Sequence, residues 1–173
     1  SICCAGRTEE RLKYLYFPGV SISSEENVFF IKKGRKISID ENLKAFGNIN
    51  LGIIRGYVYA SIQDAIENER FKSIEAVPTI DQNLKKLLAE RIDVFIGNKL
   101  VVIYNLKKLG MYDKVEIVRK PGTNEDWIID NWPVYWAFSK KRLQDSSYME
   151  NISQVIQEMK ADGTYKRILG KYE

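Results

Sequence analysis

The chain has 173 residues, of which 45% are apolar and 29% charged, enough to bury a core and too regular for a disordered or fibrous protein. Its net charge of +4 comes from 27 basic and 23 acidic residues interspersed in short runs, the pattern of a solvated surface, so no nucleic-acid partner is expected. The absence of histidine excludes thiolate–imidazole chemistry and the usual imidazole metal sites, and runs such as VFFI and LVVIY are too short to span a bilayer.

The opening stretch SICCAGRTEERLKYLYF reads as an apolar strand, a small-residue turn and a short helical segment carrying Arg11. Cys3 and Cys4 are adjacent, so a bond between them is strained, and with no third cysteine they are expected as buried small apolar groups. ENVFFIKK (26 to 33) is strand-like and ends in paired lysines, and Ser38 to Glu41 forms a capping-box signature at the entry to the middle of the chain.

The middle is the most regular part. INLGII (49 to 54) is a strand closed by Gly56 and followed by the helical YVYASIQDAIENER. SIEAV (73 to 77) is a second strand, and Pro78 and Thr79 introduce a helix with Leu84, Leu87 and Leu88 on one face. IDVFIG (92 to 97) is a third strand, NKLVVIYNLKKL a helix stopped at Gly110, and KVEIVRK (114 to 120) a fourth strand. Alternating strands and helices with short connections specify a parallel sheet with helices on both faces.

VYWAFSKK (134 to 141) mirrors ENVFFIKK, and the two bracket the middle like a pair of hinge crossings. Beyond them DSSYMENISQVIQEMKADG is an amphipathic helix, with Tyr148, Ile152, Val155, Ile156 and Met159 in one stripe and a stop at Gly163.

Five blocks, TEERLKYLYF, ENVFFIKKG, LGIIRGY, LLAERIDVFIGN and KADGTYKRILGKY, resemble in order and spacing the extracytoplasmic solute-binding proteins of the polar amino-acid type (family 3) that serve ABC importers. The resemblance implies an α/β fold, the periplasmic-binding-protein-like two-lobe clamp of type II, with the second lobe complete and the first partial. Residues 1–31 and 135–173 are then expected in the first lobe and 32–134 in the second, with about the first third of a family member absent. It also implies a periplasmic or extracytoplasmic location, a small-molecule solute, an ABC permease as partner, no cofactor, and closure about the crossings when solute binds.

The resemblance places ligand-binding residues too. Arg11, in the T-x-x-R block from Thr8, is expected to pair with a ligand carboxylate, for which a planar two-pronged donor suits better than lysine. Ala5 and Gly6 offer main-chain groups. Gly56, Tyr57, Val58 and Tyr59 lie where a strand ends and a helix opens, leaving N–H groups that favour an anion. Relatives carry hydroxyl residues after this glycine, whereas Tyr57 and Val58 stand here. Asn98 occupies the position of an aspartate that pairs with an α-ammonium, which sets a carboxylate without an ammonium against an amino acid as ligand. Asp93 is expected as a turn residue. Glu9, Glu10 and Glu125 single out no general acid and base, so no enzyme is expected, although a few relatives are dehydratases. The same clamp also serves as the input domain of receptor kinases.

Overall fold

The structure, a computed structural model, describes residues 1–40, 42–43, 46–143 and 145–170. In chain order the elements are β1 (Ile2–Gly6), α1 (Glu9–Leu12), β2 (Leu15–Tyr16), β3 (Ser23–Lys32), β4 (Asn50–Ile54), α2 (Ala60–Glu67), β5 (Ser73–Val77) and α3 (Ile80–Leu88). There follow β6 (Val94–Asn98), α4 (Lys99–Lys108), β7 (Val115–Ile117), β8 (Ile128–Ser139), α5 (Tyr148–Ala161) and α6 (Thr164–Leu169). The chain divides into two compact units, residues 1–25 with 131–173, and residues 26–130. Glu41 lies outside the described residues, and with it the expected capping box.

In the unit of residues 26–130, β3 runs antiparallel to β6, with Val28 opposite Gly97, Phe29 opposite Ile96 and Phe30 opposite Phe95. Successive side chains of a strand point to opposite faces. Phe29 and Ile31 therefore join one core with Leu51, Val94, Ile96 and the Tyr59–Ala65 face of α2. Val28 and Phe30 join a second core with Phe95, Leu84 and Leu87 of α3, and Val102 and Leu106 of α4. Helices thus cover both faces. The strand order is β3-β6-β4-β5, with β4 parallel to both β5 and β6.

The run expected as a fourth parallel strand differs. Only Val115–Ile117 is extended, and it pairs antiparallel with β3 rather than parallel with β6. The cause is β3 itself, which the sequence presents as a crossing but which occupies the free edge of β6 and buries Val28, Phe29 and Phe30 almost completely. Asp93 is more than a turn residue: it is buried, accepts from the main-chain and side-chain nitrogens of Asn50 at 2.7 Å each, and pairs with Arg35.

The other unit is thinner. β8 pairs antiparallel with β1, Ala5 facing Tyr135 and Gly6 facing Val134, and with β2, Leu15 facing Ser139. Ala5, Leu15 and Ala137 make its small core with Phe17 against them. On α5 only Met149 and Ile156 are buried, while Tyr148 and Val155 are 58% and 53% exposed. Four of the five expected stripe residues line an open apolar groove of about 620 Å³ that also meets Trp136 and Ile168. Cys3 and Cys4, expected inside, are both exposed; among the described residues β1 pairs with β8, with a bulge at this point. Among the described residues no helix is long and apolar enough to cross a membrane.

At Gly52 the sheet packs tightly against Asn83 of α3. A Cβ there would lie 2.6 Å from Asn83 Oδ1 and nearer still to Ile92. Asn83 is fully buried and donates from Nδ2 to the Ile53 carbonyl at 3.0 Å, so it has nowhere to withdraw. Gly52→Ala is expected to destabilise the protein by about 1–3 kcal/mol through overpacking. Denaturant melts read the loss as a lower midpoint at unchanged slope.

Candidate functional site

In the unit of residues 1–25 and 131–173, β1 ends at Gly6 and Thr8 opens α1 as its N-cap, with an extended backbone at φ −118° and ψ 155°. The Thr8 hydroxyl accepts from the Arg11 main-chain N–H at 3.2 Å. The T-x-x-R spacing therefore has a local cause: threonine caps, and arginine is the third helical residue whose amide needs a cap. The Arg11 side chain turns back, and Nη1 donates to the Gly6 carbonyl at 3.0 Å. Arg11 is exposed, and no carboxylate among the described residues pairs with its guanidinium.

This arrangement narrows what Ala5 and Gly6 offer. The Gly6 carbonyl already receives Arg11, and the Ala5 side chain packs into the small core while its main chain is laddered against Tyr135.

In the unit of residues 26–130, β4 and β6 are parallel neighbours, so the turn after β4 and the helix start after β6 emerge at one edge of the sheet. Ligands of open α/β sheets collect at this carboxyl edge. Gly56 takes a φ of +81°, a left-handed turn that glycine adopts freely. Tyr57 and Val58 follow it, 63% and 72% exposed. Asn98 ends β6 and is the N-cap of α4, its Oδ1 accepting from the Val101 N–H at 3.1 Å. The structure thus brings Gly56, Tyr57, Val58 and Asn98 to one edge, with the acceptor atom of Asn98 already used.

Two expectations are corrected. Tyr59 is fully buried, in the same core as Phe29 and Leu51, and its hydroxyl accepts from the Ile54 N–H at 3.1 Å. It has no surface to offer a solute; it staples the two ends of the turn that displays Tyr57 and Val58. The N-terminus of α2 is not open to an anion either. Asp130 of β8, 4% exposed, accepts from the Ser61 N–H at 2.9 Å, so the chain supplies its own carboxylate there. The second oxygen, Asp130 Oδ2, is buried with no hydrogen-bond partner among the described residues. The sequence signal was a lone carboxylate within the apolar run WIIDNW, a residue type that enters a core only with a donor to meet it.

No protein-family model matches the chain, and no curated protein matches it. Solved structures do. The probable amino-acid ABC transporter extracellular-binding protein YtmK from Bacillus subtilis superposes with a TM-score of 0.75 at 18% identity, over 97% of this chain and 68% of that one. An ancestral cationic amino acid solute-binding protein gives a TM-score of 0.70 at 20% identity, over 97% and 66%. A histidine kinase sensor domain with similarity to periplasmic binding proteins gives 0.67 at 14%, over 98% and 68%. The chain therefore spans about two thirds of the length of these structures and has their mixed α/β fold, that of periplasmic-binding-protein-like domains.

Burial of Tyr59 has a measurable consequence. Removal from water raises its phenol from the ordinary 10.0 to about 12, with the Ile54 N–H opposing the rise and Tyr57 and Asp130 adding to it. A raised folded pKa gives stability that is complete below the unfolded value and lost as pH rises through the folded one. Stability is expected to fall between pH 10 and about 12, and Tyr59→Phe is expected to flatten that part of the profile. Denaturant melts at stepped alkaline pH measure both curves; an unchanged profile in the variant would place the alkaline loss elsewhere.

Proposed function

We propose that the protein binds a small carboxylate-bearing solute outside the cytoplasm and delivers it to an ABC permease in the membrane, without catalysing a reaction. The observation that carries this is Arg11, an exposed guanidinium with no carboxylate partner among the described residues, held in place by Thr8 and Gly6 on the fold of amino-acid solute-binding proteins. A fork anchored at one nitrogen keeps its remaining N–H groups for a planar acid. Because Asp130 already fills the start of α2, the solute carboxylate is assigned to Arg11 rather than to that helix. Within the unit of residues 26–130, Gly56, Tyr57, Val58 and Asn98 are the candidate contacts, Tyr57 as an aromatic surface and Asn98 through its amide.

A second reading, the ligand-sensing input domain of a membrane receptor kinase, is favoured by the likeness to a histidine kinase sensor domain. Both readings share the solute-binding step. A dehydratase-like activity has less support, since Glu9, Glu10 and Glu125 are all exposed.

Two substitutions test the site. A thermal-shift screen of amino acids and simple carboxylates is expected to find a stabilising ligand, worth about 2.7 kcal/mol at a hundredfold its dissociation constant. Arg11→Lys keeps the charge and loses the fork, so it is expected to weaken that ligand by about tenfold, the scale of one lost charge-assisted bond, with little change in melting of the free protein. An unchanged dissociation constant by calorimetry removes Arg11 from the site.

Asn98→Asp then separates the ligand classes. Aspartate caps a helix as well as asparagine does, so the start of α4 is expected to keep its stability. For a carboxylate without an ammonium, the outcome favoured here, the added charge weakens binding; for an α-amino acid it tightens it. Titration calorimetry of wild type and variant with the ligand from the screen reads the sign.

A further inference from the structure

An ordinary strand sends the side chains of adjacent residues to opposite faces of its sheet. Cys3 and Cys4 break that rule. Against β8, Ile2 faces Ala137 and Ala5 faces Tyr135, so three steps of β1 are matched to two of its partner. The extra residue makes a β-bulge, which re-aims side chains locally. Cys4 takes a φ of +56°, in the left-handed region that a side chain seldom adopts. Together these place two sulfurs of neighbouring residues 3.3 Å apart, on residues that are both exposed.

We propose that Cys3 and Cys4 are a reversible modification site, a dithiol that a small disulfide such as oxidised glutathione converts into a disulfide between the two neighbours. In the first step a cysteine thiolate attacks one sulfur of the oxidised glutathione; a mixed disulfide forms and one glutathione thiolate leaves. In the second, the other cysteine gives its proton to that thiolate and attacks the protein sulfur of the mixed disulfide, expelling the second glutathione. Two protein thiols are oxidised, and one glutathione disulfide is reduced to two thiols.

The surroundings order the two steps. Cys4 borders the apolar groove under α5. Its thiol is pushed up to about 11, first by burial and then by Cys3 alongside, with Glu25 adding a smaller push. Cys4 lines that groove and Cys3 does not, so Cys3 meets the incoming disulfide first and Cys4 closes the ring once Cys3 is capped. A ring closed between neighbours is strained, and strained, exposed disulfides are the readily reduced ones. Reversibility follows from the same geometry that permits closure.

The test is to incubate the folded protein with oxidised glutathione, alkylate the remaining thiols and weigh the intact chain. The expected product has lost two hydrogen atoms, carries neither glutathione nor alkyl group, and returns to the starting mass with dithiothreitol. Cys4→Ser is expected to stop at the mixed disulfide with one glutathione attached, and Cys3→Ser to react several-fold more slowly. A doubly glutathionylated chain, a disulfide-linked dimer, or two surviving thiols each overturns the proposal. Because an unfolded chain can also close the ring, the same equilibrium in guanidinium is the second measurement. Preorganised sulfurs predict a closure constant about tenfold larger in the folded protein. An equal or smaller one refutes the part assigned to the bulge.

Discussion

The antiparallel pairing of Val28, Phe29 and Phe30 with Gly97, Ile96 and Phe95 is the constraint on which the larger unit depends. Two phenylalanines adjacent in sequence enter different cores, so one strand pair fixes where α2 packs and where α3 and α4 pack. A slip of one residue would exchange the two sets, which is why register in a doubly covered sheet is strongly specified. The same pairing closes the edge of β6, sends β7 to the far side of β3, and leaves β4 and β6 as parallel neighbours. The turn at Gly56 and the cap at Asn98 share an edge for that reason.

Much of this was legible, and the boundary of legibility is physical. SIEAV is the strand β5 residue for residue, and the runs at 49 to 54 and 92 to 97 differ from β4 and β6 only at their ends, because continuous apolar runs between turn signals have no competing period. The helix after Asn98 was equally plain. What local pattern does not encode is which strand fills which edge. VFFI carries enough β-branched and aromatic residues to be a strand anywhere, and only the whole topology pairs it with β6. On α5 the period was right, but burial falls on Met149 and Ile156 while Tyr148 and Val155 stay exposed, since the stripe's extent depends on what covers it.

The candidate site was legible as positions and not as roles. Arg11, Gly56, Tyr57, Val58 and Asn98 were found through resemblance, whereas Asp130 was not, because nothing local links a strand carboxylate to the Ser61 amide far away in sequence. Asn98 shows the opposite case. An asparagine just before a helical run is a cap signal by itself. The resemblance implies a ligand contact at this position, and the side-chain oxygen accepts from the Val101 N–H. Asp93 belongs with Asp130: each is a buried carboxylate whose job is to receive main-chain hydrogen, from Asn50 in one case and from Ser61 in the other.

These internal carboxylates and caps bear on how a ligand is met. The first turns of α1, α3 and α4 are capped by Thr8, Thr79 and Asn98, and that of α2 by Asp130, so each of these helix starts spends its exposed polarity on its own chain. An incoming charge must then be answered by side chains rather than by helix ends. The turn after β4 is built to offer one. Its two sides are tied by the Tyr59 hydroxyl on the Ile54 N–H and by the Tyr57 N–H on the Ile54 carbonyl at 3.2 Å, and its tip projects an aromatic ring and a valine into solvent. Ordering a surface before binding lowers the entropy cost of binding. Under the proposed function, Tyr57 on a stapled turn would be a better contact than the same ring on a free loop, with the buried Tyr59 holding the turn in place.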